Sequence, residues 1–164
     1  TSMFENCYKI NSFPVFDTSN VTNMSRIYRN TIITAFPELN TSNVEDMSNA
    51  LTLCTNVTTI PLLDCGKIKS GSGIDLFGNT TMSNLTYLGG FKDLGKVSGF
   101  SKPTYFLKYC PNLTKESVLN VLNNLYDRAT AKYSNIQLSF HANSLALLSD
   151  EEKAIATNKG WTLA

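Results

Sequence analysis

A ten-residue run, FDTSNVTNMS (Phe16 to Ser25), returns 23 residues later as LNTSNVEDMS (Leu39 to Ser48). A second pattern interlocks with it. MFENC (Met3 to Cys7), IYRNT (Ile27 to Thr31), ALTLC (Ala50 to Cys54), LFGNT (Leu76 to Thr80) and FLKYC (Phe106 to Cys110) share one form: two apolar residues, two variable ones, then Cys or Thr. The steps between the closing residues are 24, 23, 26 and 30. Four copies continue with an apolar pair three apart: Ile10 and Phe13, Ile33 and Phe36, Val57 and Ile60, Leu85 and Leu88. The fifth has Leu113 and then departs from the pattern. A period in the twenties with apolar residues at fixed offsets signals stacked coils, because a unit this short cannot bury its apolar face alone.

The expected fold is therefore an α/β repeat, a solenoid of about five coils, each with one short parallel strand. The polar run fits that reading. Turn backbone caught between coils would lose its water partners at a cost of roughly 1–3 kcal/mol per group, and short side chains such as Ser19, Asn20, Ser42 and Asn43 can bond to it locally. Low complexity is rejected, because the polar run stays in phase with the apolar positions. The composition, 42% hydrophobic and 16% charged, is also too apolar for a disordered tail.

FPVFDTSNVTNMS, IPLLDCGKI and the recurring apolar-apolar-x-x-Cys/Thr element resemble the BspA-like leucine-rich repeats of bacterial surface proteins. Similar repeats occur in tail proteins of phages that infect gut bacteria. The resemblance covers residues 1–114 as leucine-rich-repeat coils, and residues 115–164 resemble the cap that often follows them, with CPNLTKESVLNVLNNLYD and LSDEEKAIATNKGWTL the most specific parts. Two departures stand out: Thr31 where Cys is usual, and an insertion, KIKSGSGI (Lys67 to Ile74), in the third copy. The chain begins in mid-pattern and is expected to be a piece of a longer protein.

In the cap, Thr114 is placed to open a helix over 115–130 with Glu116 in its first turn, where a carboxylate suits the helix dipole. Val118, Val121, Leu122, Leu125, Tyr126 and Ala129 form its apolar stripe, expected to cover the open end of the stack. Residues 136–140 alternate as a strand. Ser149 and Glu152 form a capping box for a second helix ending at Gly160, and Trp161 to Leu163 read as an edge strand.

No catalytic constellation is expected, and no cofactor or metal. His141 is the only histidine, and the closest cysteines, Cys54 and Cys65, lack zinc-ligand spacing. Cys7, Cys54 and Cys110 share the repeat position that Thr31 and Thr80 fill elsewhere, which points to small buried side chains that stay unbridged. Net charge is +1 with no basic run, so nucleic acid is not an expected partner. No apolar segment is long enough to insert in a membrane. The resemblance implies an extracellular, non-enzymatic recognition or adhesion module on a bacterial surface or virion, binding a host-cell protein or glycan receptor. The alternative is a structural spacer that docks to other subunits of the parent assembly. Candidate binding positions are outward residues flanking the apolar pairs (Asn11, Pro14, Thr34, Pro37, Thr58, Pro61) and two side chains able to stack or bond, Arg29 and Tyr87.

Overall fold

A short unit that turns back on itself leaves backbone amides pointing at whatever lies beside it. In the computed structural model, which describes residues 1–164, what lies beside each copy is the next one. Phe4 N donates to Ile27 O (2.9 Å), Tyr28 N to Ala50 O (3.1 Å), Leu51 N to Leu76 O (2.8 Å) and Met82 N to Tyr109 O (2.8 Å). The repeat position is stacked as well. Thr31 Oγ1 lies 3.5 Å from Cys54 Sγ, and Thr80 Oγ1 accepts from Leu53 N at 2.9 Å.

The architecture is mixed α/β, with short strands in three separate two-stranded parallel sheets. β1 (Thr59–Ile60) pairs with β3 (Tyr87–Leu88), and β2 (Leu63–Asp64) pairs with β4 (Phe91–Lys92). A bridge from Ala35 to Thr59 carries the first row back to the second copy. This row is sparser than one strand per copy, because no backbone bond joins residues 11–16 to the second copy. A continuous core runs through the copies, from Met24, Tyr28 and Phe36 through Leu51, Ile60 and Phe77 to Leu88 and Phe106.

Polar residues hold the turns, two positions earlier than expected. Asp17, Asn40 and Asp64, one per copy, each accept from the backbone N–H two residues on (Ser19, Ser42, Gly66) at 2.9–3.1 Å. Thr18 and Thr41 donate to carbonyls of the following copy, Asn40 O and Asp64 O. Asn43 does bond across, to Ser19 O, whereas Asn20 is exposed and makes no such bond.

The cap begins with α1 (Lys115–Asn124), where Thr114 Oγ1 accepts from Ser117 N at 3.2 Å. Val118, Val121 and Leu122 are fully buried. The helix also completes the ladder with polar side chains. Ser117 Oγ accepts from Leu88 N and donates to Thr86 O, both at 3.0 Å, while Asn120 donates to Leu88 O at 3.3 Å. Three groups on the outer edge of β3 thus find partners without another strand.

The helix stops six residues short of the expected 130. Leu125 adopts extended backbone (ψ 141°) and pairs with Leu94, with Asp93 N donating to Asn124 O at 3.0 Å. The unpaired edge after β4 wins over helix continuation, so Tyr126 and Ala129 fall outside the buried stripe. Lys159 Nζ donates to the freed carbonyls of Leu122, Asn123 and Leu125 at 2.6–3.2 Å, a favourable place for a cation at a helix C-terminus.

β5 (Ile136–Leu138) pairs in parallel with β6 (Trp161–Leu163). Between them run α2 (Ala142–Ala146), a short helix that the sequence reading lacked, and α3 (Asp150–Asn158). His141 caps α2, its Nδ1 accepting from Asn143 N at 3.2 Å. The capping box of Ser149 and Glu152 opens α3, and Gly160 follows it at φ +75°. Arg128, 2% exposed, ties these pieces together by donating to the carbonyls of Gly95, Phe100 and Tyr133.

Leu122→Ala should cost about 2–5 kcal/mol, whereas Asn123→Ala, one exposed position round, should cost far less. Ser117→Ala should cost about 1–3 kcal/mol by leaving the buried Leu88 N–H without an acceptor. Tyr28 is the converse case: its buried hydroxyl has no partner, so Tyr28→Phe should leave stability unchanged or raise it. Chemical denaturation of the four variants checks all of these.

Candidate functional site

The positions expected to bind divide into separate groups. Thr34 and Thr58 are exposed and adjacent in the row, with Thr58 N and Oγ1 both donating to Thr34 O, at 2.8 and 3.1 Å. Tyr87, 40% exposed, continues the row, its N–H donating to Thr58 O at 3.1 Å. Pro37 and Pro61 are half-buried beside them. Asn11 and Pro14 are exposed on the first copy, which is not hydrogen-bonded into this row. Arg29 stands apart from the row, its guanidinium ion-paired with Glu5 of the first copy at 2.6 Å. This row is a regular surface in which backbone and the Thr58 hydroxyl are bonded between copies.

A concave surface lies elsewhere, around the insertion of the third copy. Residues 67–75 fold back on the stack instead of extending into solvent. Ser70 caps the single 3₁₀ turn Gly71–Ile74, its Oγ accepting from Gly73 N at 3.3 Å. Met47 N and Asn49 N donate to Gly73 O and Asp75 O, so the insertion takes the place of the next copy at this edge. Gly71 sits so close to the backbone of Lys102 and Pro103 that a Cβ would overlap the Pro103 carbonyl. Only glycine fits there.

Two depressions flank this turn and share Ser72 and Asp75. The larger, about 560 Å³, is lined entirely by polar residues and glycine. Its carboxylates are Glu45, Asp46 and Asp75; Asn23, Asn49 and Ser48 face them from two turns of the stack. Lys69 pairs with Glu45 at 2.5 Å, and Asp46 accepts from Ser48 N at 2.8 Å. The smaller, about 320 Å³, adds Lys102, Pro103 and Tyr105, the last 46% exposed.

Burial raises the Asp75 carboxyl above its usual value, and neither the N–H groups of Gly78 and Phe77 nor the nearby Lys108 offsets it. Asp64 shows the opposite balance. Burial pushes it up, but hydrogen bonds from Lys92 and Gly66 N, with the charges of Lys92 and Lys96, bring it below the usual carboxylate range. The His, Cys, Asp and Glu side chains nowhere form a group of three suited to a metal ion. No helix is long and apolar enough to cross a membrane.

Sequence reasoning noticed the insertion but not what it builds, and none of the cleft residues was among the expected binding positions. The signal was present in Gly71 and Gly73 within a polar loop, but where that loop lands depends on Pro103, 32 residues away. Comparison of the chain with protein-family models, curated proteins and solved structures finds no match in any of the three.

Replacing Asp75 by Asn should raise the melting temperature at neutral pH. The sign follows from its raised value: the folded state holds this proton more tightly than the unfolded chain, so the wild-type carboxylate costs stability as pH rises from about 4. Thermal melts at pH 3 and pH 7 test this, with the Asn variant's advantage expected only at the higher pH. The thiols provide a second check, because all four cysteines are unbridged and burial pushes the Cys65 and Cys110 thiols well above their ordinary value. Iodoacetamide should modify half-buried Cys7 in the native protein and reach Cys54, Cys65 and Cys110 only on unfolding.

Proposed function

We propose that this chain is a non-enzymatic recognition module, a leucine-rich-repeat-type solenoid of a bacterial surface or phage tail protein that binds a host protein or glycan. The observation that carries the reading is the cleft beside the insertion. The copies hold one another by backbone bonds and a continuous core, and the third copy departs from the shared pattern to make a depression of about 560 Å³. That volume lies within the range of roughly 300–1,000 Å³ usual for small-molecule sites.

The chemistry of the cleft favours binding over turnover. Glu45 is neutralised by Lys69, and Asp46 and Asp75 are held by backbone N–H groups, so the acids serve as fixed acceptors. The resemblance of the repeats to those of surface and tail proteins supports an extracellular setting. The structural-spacer reading draws on the exposed apolar side chains of the first copy, Met3, Tyr8 and Val15, which could meet another subunit.

Binding of the labelled, purified chain to intact bacterial cells and to immobilised extracellular-matrix proteins separates these readings. A saturable interaction by a monomeric chain is expected. Absence of binding, with light scattering showing an oligomer of defined stoichiometry, would favour the spacer.

A further inference from the structure

We infer that the cleft beside the insertion is a carbohydrate site, taking a short neutral oligosaccharide across the two depressions that meet at Ser72 and Asp75. The inference rests on the recognition reading above and names the class of ligand for that site. The larger depression has no hydrophobic residue in its lining, so it lacks the aromatic or aliphatic pocket that anchors most protein partners. Three carboxylates against the single ammonium of Lys69 make it unsuited to phosphates, nucleic acids and acidic peptides.

What remains complementary is a neutral ligand dense in hydroxyl groups, each both donor and acceptor. The cleft offers both kinds of partner. Asp46 and Asp75 are acceptors; Lys69 is a donor; Asn49 has an amide whose Oδ1 already accepts from Thr52, which leaves its N–H groups to donate. The hydroxyls of Thr22 and Ser48 make no hydrogen bond within the protein. These groups come from two successive turns and the insertion, and their relative positions are set by the ladder bonds from Met47 and Asn49 to the insertion backbone. Such a frame is rigid before any ligand arrives, which lowers the ordering cost of binding.

The second depression supplies the other half of sugar recognition. Tyr105 is an exposed ring at its wall, held in a segment that runs directly into the 3₁₀ turn Phe106–Tyr109. A pyranose presents a face of C–H groups that packs on an aromatic ring while its equatorial hydroxyls point outward to polar partners. The insertion brings ring and carboxylate together, and Gly71 is the residue that lets it approach Pro103 closely enough to do so.

The test is a glycan microarray carrying neutral and acidic oligosaccharides, followed by titration of the best neutral hit against variants. Asp75→Asn and Tyr105→Ala should each weaken binding about tenfold or more, and Thr34→Ala and Tyr87→Ala should stay within about twofold. Ser48→Ala serves as a milder cleft variant should either cleft substitution disturb folding, which melting curves report. Saccharide binding lost through Thr34 or Tyr87 but kept by the cleft variants would overturn the assignment. So would an array on which only acidic glycans bind, or none. In those cases, adhesion to cells or matrix proteins would leave the recognition reading intact, and its absence together with self-association would remove both.

Discussion

The structure depends on one interaction repeated in register: a backbone N–H of each copy donating to a carbonyl of the next. Each such bond contributes only about 1 kcal/mol net, but it sets the spacing at which the apolar residues of neighbouring copies meet. Tyr28, Ile33 and Phe36 are buried because Leu51, Val57 and Ile60 arrive beside them. A parallel ladder also has an outer edge, and an exposed edge is a template for unwanted pairing. Ser117 and Asn120 resolve that at the fourth copy by imitating a strand with side chains, while α1 covers the apolar end with Val118, Val121 and Leu122.

The turn geometry is repeated as faithfully as the core. Ser2 and Asn6, Arg26 and Asn30, and Asn49 and Leu53 all adopt positive φ, two per copy and four residues apart. Asparagine tolerates that conformation well, and Asn6 and Asn30 also bond to each other through their side chains at 2.9 Å. Leu53 adopts the same backbone without an asparagine's tolerance for it, its N–H held across copies by Thr80 Oγ1, so the fold imposes this turn instead of following residue preference. The insertion departs from this economy, and the cleft exists because of that departure.

Much of this was legible in the residues. The Cys/Thr positions line up as their spacing implied, with Thr31 beside Cys54, because spacing and side-chain size are local properties of the chain. Thr114 as a helix N-cap and Ser149 with Glu152 as a capping box were readable for the same reason. The end of α1 was not. Leu122 to Tyr126 carry no breaker, and the helix stops because Leu94, some thirty residues earlier, offers an edge to Leu125. The polar run points to Ser19, Asn20, Ser42 and Asn43 as turn mortar, whereas beside Asn43 it is Asp17, Thr18, Asn40 and Thr41 that carry most of it, since composition reveals the need for polar groups but not their phase. The cleft was invisible for a tertiary reason, the meeting of Gly71 with Pro103.

Tethering is uneven along the stack, and that unevenness sets an order of opening. Toward the cap, Arg128 fastens residues 115–164 to the carbonyls of Gly95 and Phe100, and Lys159 ties the end of α3 to Leu122 and Asn123 of α1. In the first copy, residues 11–16 have no ladder bond, and Phe4 packs against Phe13 and Phe16 while all three are only partly buried. Fluctuations start at the least tethered backbone and spread from there. Amide hydrogen exchange should therefore form a gradient along the axis, fastest before Thr18 and slowest from the third copy to α1. The cleft spans that gradient, with Thr22 and Asn23 on its faster side and the insertion in its slow part, so its two walls open at different rates.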